Sequence, residues 1–119
     1  MSETNKIVLQ RANAAVLAGD HEGFLAHCTD DVEWTFVGER TLKGKDAVRR
    51  YMDATYLEPP RFTVDHLIAE GDFVTAIGDI AVVAAAGRVV RSAYCDVWRL
   101  RQGMLAELRA FVVELGADD

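Results

Sequence analysis

Residues 88–115, RVVRSAYCDVWRLRQGMLAELRAFVVEL, hold the reading that decides the fold. Apolar and aromatic side chains alternate with polar ones along most of this stretch, the period-two pattern of β-strands. Gln102-Gly103 breaks the alternation with the residues of a tight hairpin turn. Two strands, 88–101 and 104–115, are therefore expected to pair antiparallel. The same period runs backward through 61–70 and 73–84, with breaks at Gly71-Asp72 and at Ala86-Gly87. Each break is two residues containing glycine or aspartate, so the second half of the chain reads as a four-strand meander.

The first half has helical spacing instead. Residues 4–17 place Ile7, Val8, Ala12, Ala15 and Val16 on one stripe, closed by Gly19-Asp20. Asp20 is the expected N-cap of a short second helix that carries Phe24, Leu25 and Cys28 and ends near Thr29-Asp30-Asp31. Residues 32–37 (VEWTFV) read as a short strand, followed by a loop with Gly38 and Gly44. A third helix over 46–57 puts Ala47, Val48, Tyr51 and Met52 opposite Arg49, Arg50 and Asp53, and Pro59-Pro60 stops it. The order helix, helix, strand, helix, meander is an α+β layout, one domain over 1–119 with helices packed on one face of a curved sheet.

Half of the 119 residues are apolar, enough for one core, and the formal net charge of -6 argues against nucleic acid or an anionic membrane as partner. No apolar run reaches the roughly 18 residues of a membrane helix. Cys28 and Cys95 show no metal or redox spacing, and the start MSETNKIVLQ has no signal-peptide pattern, so a reducing, cytoplasmic setting is expected. No His, Cys, Asp or Glu set has ligand spacing and no glycine-rich phosphate loop is present, so neither a metal nor a cofactor is expected.

Within SAYCDVWRL, Ser92, Tyr94, Asp96 and Trp98 share one face and Ala93, Cys95, Val97 and Arg99 the other. An acid on an aromatic inner face is costly by several kcal/mol unless paired or neutral, and is expected to have a raised pKa. Alternation by itself leaves open which face is inner.

The layout, with LAGDHEGFLAHCTDDVEWTFVG, LKGKDAVRRYM and WRLRQGMLAELRAF, resembles the nuclear transport factor 2-like (cystatin-like) superfamily, nearest in look to its SnoaL-like and ketosteroid-isomerase-like members. The resemblance implies a cone-shaped curved sheet, mixed or antiparallel, wrapped around the three helices, with a deep apolar pocket and often a homodimer through the outer sheet face. It also implies that Ser92, Tyr94, Asp96 and Trp98 face inward with Asp79, Ala81 and Val83 and with Leu108, Ala110 and Val112. Glu107, Arg109, Phe111, Arg91, Val97 and Arg99 would then face outward. Asp96 stands where ketosteroid-isomerase-like proteins keep a neutral carboxylic acid that donates to an enolate oxygen. The partners of that acid are replaced: Phe36 stands at the isomerase base, Ala12 at its tyrosine and Ala110 at the cyclase base.

These readings converge on a pocket for a small apolar or aromatic ligand, walled by Trp34, Phe36, Tyr51, Met52, Tyr94, Trp98, Leu108, Ala110 and Val112. The expected activity is that of a cofactor-free isomerase, cyclase or hydratase acting on an apolar or polycyclic carbonyl compound, with Asp96 as acid or hydrogen-bond donor. Asp79 or His66 would be the base. The alternatives are a binding module that turns nothing over and a dimerisation domain with a vestigial pocket.

Overall fold

A computed structural model describes residues 2–116. Helix α1 (Ser2–Leu17) buries Asn5, Leu9, Ala12 and Val16, four positions at steps of four and three residues that form one stripe. Ile7, expected on the buried stripe, projects about 200° around the helix from Asn5 and is 46% exposed. Asp20 caps α2 (His21–Leu25), its carboxylate accepting from the Gly23 N–H at 2.9 Å.

That helix stops earlier than its apolar spacing suggests, because the last strand captures the chain. The Leu105 N–H donates to the His27 carbonyl at 2.8 Å, and Cys28 already lies in β1 (Cys28–Phe36), paired parallel with β7 (Met104–Glu114). A second correction concerns 40–43, read as loop: Arg40–Lys43 forms β2, antiparallel to β1, with Arg40 opposite Phe36 and Leu42 opposite Trp34. Four residues are too few for a periodic signal. Helix α3 (Gly44–Thr55) buries Val48 and Met52 and half-buries Ala47 and Tyr51, the stripe its spacing predicts.

The expected strand over 61–70 is broken in two, β3 (Arg61–Phe62) and β4 (His66–Glu70), both antiparallel to β5 (Phe73–Val83). Between them the Thr63 carbonyl passes directly over Gly78, where any Cβ would collide with it. Strands β6 (Val89–Arg101) and β7 complete a curved mixed sheet in the order β2-β1-β7-β6-β5-β3, with β4 alongside β5. Every pair is antiparallel except β1 with β7.

Register then decides which side chains face the helices. A two-residue turn at Ala86-Gly87 would have opposed Asp79 to Tyr94. The connection is one residue longer: the Ala84 N–H donates to the Arg88 carbonyl at 2.7 Å, and a turn with Ala86 at φ 65° joins the strands. Gly78 therefore opposes Tyr94, and Asp79 opposes Ala93 on the outer face. The added residue turns over β5, so Asp79 and Ala81 do not share the face of Asp96, while Val83, at the end of the strand, still borders the space in front of that face. Between β6 and β7 the tight Gln102-Gly103 turn, both residues at positive φ, sets one register, and a bulge after Arg99 shifts it by one. That shift places Leu108, Ala110 and Val112 opposite Trp98, Asp96 and Tyr94.

The core lies between the helices and the concave face, where Leu9, Leu25, Met52, Leu100, Leu105 and Leu108 are almost wholly buried. Among the described residues no helix is long and apolar enough to cross a membrane.

Candidate functional site

The concave face and the helices do not fill the space they enclose. A cavity of about 600 Å³ remains, bordered by Trp34, Phe36, Tyr51, Tyr94, Trp98, Leu108, Ala110 and Val112 together with Asn13, Phe24, Tyr56 and Ser92. That volume is in the range of small-molecule sites. Its aromatic lining is continuous: the Trp34 ring lies 5.5 Å from Phe36, 5.4 Å from Tyr51, 6.2 Å from Phe24 and 6.5 Å from Trp98, centroid to centroid. Met52 is not part of the wall; it is fully buried beneath it.

Asp96 lies on the sheet floor of this cavity. Its cross-strand neighbours are Ala76 on β5 and Ala110 on β7, and the diagonal positions on the same face are Val74, Gly78, Leu108 and Val112. Methyl groups, a glycine and branched apolar side chains thus surround the carboxyl, and none can donate to it. Among the described residues it has no side-chain hydrogen bond, and burial alone pushes its pKa up to about 7. The small side chains opposite also leave the space above the carboxyl open to a ligand.

The nearby hydroxyls divide by use. Tyr94 donates to the Thr63 carbonyl at 2.5 Å, and burial, then the charges of Asp96, Asp65 and Asp79, push its phenol up to about 12. It is a structural anchor over Gly78. Tyr56, just past α3, sits deeper; burial, then Tyr51 and Asp96, raise its pKa far above the ordinary value. Tyr51 is raised by burial and lowered by contacts with Thr55 and Tyr56 and by the charge of Arg40. Tyr51 and Tyr56 therefore keep neutral O–H groups at any physiological pH, and Tyr56 lies within electrostatic reach of the carboxyl.

The two bases expected beside Asp96 lie elsewhere. Asp79 is exposed on the outer face, opposite Ala93. His66 is exposed on β4, opposite Ile77, again on the outer face. Neither borders the cavity. Cys28 is also outside this chemistry: burial pushes its thiol up to about 12, and its Sγ faces the Phe24 carbonyl at 3.7 Å.

Arg40 was not singled out from the sequence, because β2 was not recognised. Once that strand pairs with β1, Arg40 shares the inward face with Phe36. Asn13, one residue beyond Ala12 on α1, was missed because it flanks the buried stripe without belonging to it.

Residues 9–108 match the family model of the SnoaL-like domain. No curated protein matches the chain at the sequence level. An NTF2-like protein of unknown function from Burkholderia pseudomallei has a similar structure, with 25% identity and a TM-score of 0.82 over 95% of this chain and 92% of that one. The Δ5-3-ketosteroid isomerase of a Mycobacterium species superposes with a TM-score of 0.82 at 18% identity, over 97% of this chain and 100% of its own. A protein described as a SnoaL-like polyketide cyclase, from a Jannaschia species, does so with 0.82 at 15% identity, over 94% and 87%. These last two likenesses are of fold.

Proposed function

This chain belongs to the family of SnoaL-like domains, and from that premise we propose that it is an isomerase- or cyclase-type enzyme acting on a planar, apolar or polycyclic carbonyl compound, with Asp96 as its acid. The observation that carries the reading is the Asp96 carboxyl, on the floor of an aromatic cavity with no side-chain hydrogen bond from the described residues and a pKa raised to about 7. An acid of that strength is close to ideal for proton transfer at neutral pH. It also keeps a proton to share with a ligand oxygen, as a carboxylate of ordinary pKa would not.

With Asp79 and His66 outside the cavity, the chemistry needs no second protein base. Carbonyl addition by a carbon already present as an enol fits best. The Asp96 O–H gives its proton to the carbonyl oxygen as the new C–C bond forms, and the proton leaving the enol oxygen restores the acid. Tautomerisation uses the same group twice: the Asp96 O–H gives its proton to the carbonyl oxygen, and the carboxylate so formed takes the proton released from the adjacent α-carbon, which restores the acid. The Tyr56 and Tyr51 hydroxyls border the same cavity from α3 and its end as further polar groups. The outer sheet face supports association of two copies, since Phe111 and Val113 on β7 and Ile68 and Phe73 on its far side stand exposed.

The test is hydrogen–deuterium exchange α to the carbonyl of 2-tetralone, followed by NMR in D2O. The wild-type protein is expected to accelerate exchange, the acceleration to fall as pH rises through about 7, and Asp96→Asn to lose about 100-fold. Background exchange in the presence of demonstrated binding would replace this reading with that of a binding module.

A further inference from the structure

Among the described residues, Arg40 is the one cation that borders the cavity. Its guanidinium lies 6.0 Å from the Phe36 ring centroid and 5.6 Å from that of Tyr51, the range of cation–π contact. Three other arginines, none of them at the cavity, are spent on carboxylates: Arg49 on Glu22 and Asp46, Arg99 on Glu107, Arg101 on Asp31. Arg40 has no such ion pair among the described residues; it is exposed at the rim of the cavity, which Glu39 and Glu114 also border. At the Tyr51 hydroxyl the field of Arg40 outweighs that of Glu39.

Its position relative to Asp96 follows from register. Arg40 opposes Phe36, Phe36 opposes Ala110 and Ala110 opposes Asp96, so the two groups end one cross-strand row. Three inter-strand steps of about 4.8 Å separate them by about 14 Å along the sheet, and its curvature brings them to opposite sides of one cavity. A guanidinium laid over aromatic faces keeps its in-plane N–H fork free, and that fork matches a carboxylate.

We propose that Arg40 is a specificity-determining residue that binds a carboxylate carried by a planar aromatic ligand, holding the ligand so that its far end meets Asp96. The inference rests on the reading of the cavity as a carbonyl site, but its test does not depend on turnover. The probes are anthraquinone-2-carboxylate and its methyl ester, titrated against quenching of Trp34 and Trp98 fluorescence. The wild-type protein is expected to bind the carboxylate at least about tenfold more tightly than the ester, the worth of one charge-assisted contact. Arg40→Gln should remove that preference and leave the ester within about twofold of its wild-type affinity. Asp96→Asn should retain the preference even where it abolishes exchange catalysis. Equal affinities in the wild type, no binding of either probe, an equal loss of both in Arg40→Gln, or loss of the preference in Asp96→Asn would each overturn the assignment.

Discussion

Asp96 shows how one residue's chemistry is set by what its neighbours lack. The acid itself was legible in SAYCDVWRL as an exception to an apolar face, and the rise in its pKa followed from that setting. What the stretch could not show was that both cross-strand neighbours are alanine, so that neither partner strand offers the carboxyl a donor opposite it and burial is the cause of its raised pKa. The linkage to stability has a definite sign. The carboxyl holds its proton up to about 7 when folded against an ordinary 3.8, so between these values the folded state binds more protons and stability falls as pH rises. A rise of that size corresponds to about 4 kcal/mol. The thermal midpoint of the wild-type protein is therefore expected to drop on going from pH 5 to pH 8, and that of Asp96→Asn to change much less. Scanning calorimetry across that range checks it, and parallel curves for the two proteins would remove the burial argument.

Among elements, single residues in connections changed more than any strand did. Alternation along β5 and β6 was plain in the chain, yet the inward face of β5 depended on whether two or three residues turn the hairpin at Ala86-Gly87. An extra residue there sends Asp79 outside. The bulge after Arg99 acts in the opposite sense, since an unbroken ladder from the Gln102-Gly103 turn would have set Arg109 against Asp96. Gly78 marks a third such place. It reads as an ordinary glycine in a strand, and only the path of Thr63 across it shows why a side chain is excluded. Gly78→Ala is expected to destabilise the protein by about 1–3 kcal/mol, measured from the denaturant midpoint, and to loosen Tyr94 by displacing the Thr63 carbonyl that it donates to. At the helix end, Asp20→Ala should cost about 1 kcal/mol through loss of the cap on Gly23.

For the whole molecule, the outer face of the sheet carries the remaining expectation. Val97 and Phe111 stand on that face, away from the cavity, with Arg109 between them in register and stacked on the Phe111 ring at 5.6 Å. Val97→Glu and Phe111→Glu are expected to shift the protein from dimer to monomer in light scattering while leaving its circular dichroism unchanged; a wild-type monomer would end the proposal. The layout was legible at this scale because it is local: helical and strand periods, the Asp20 cap and the proline stop are each written within a few residues. Asp96, Trp34 and Phe36 were legible as members of one face of their own strands, but the family resemblance and not the alternation marked that face as the inner one, and Met52 was misplaced because a helical stripe does not show depth. The union of β1 with β7, the length of one turn, the bulge that aligns Ala110 with Asp96 and the inward aim of Arg40 were decided only by the tertiary structure. Each depends on registers between segments distant in the chain, and a shift of one residue in such a register exchanges the two faces of a strand without altering any pattern within it.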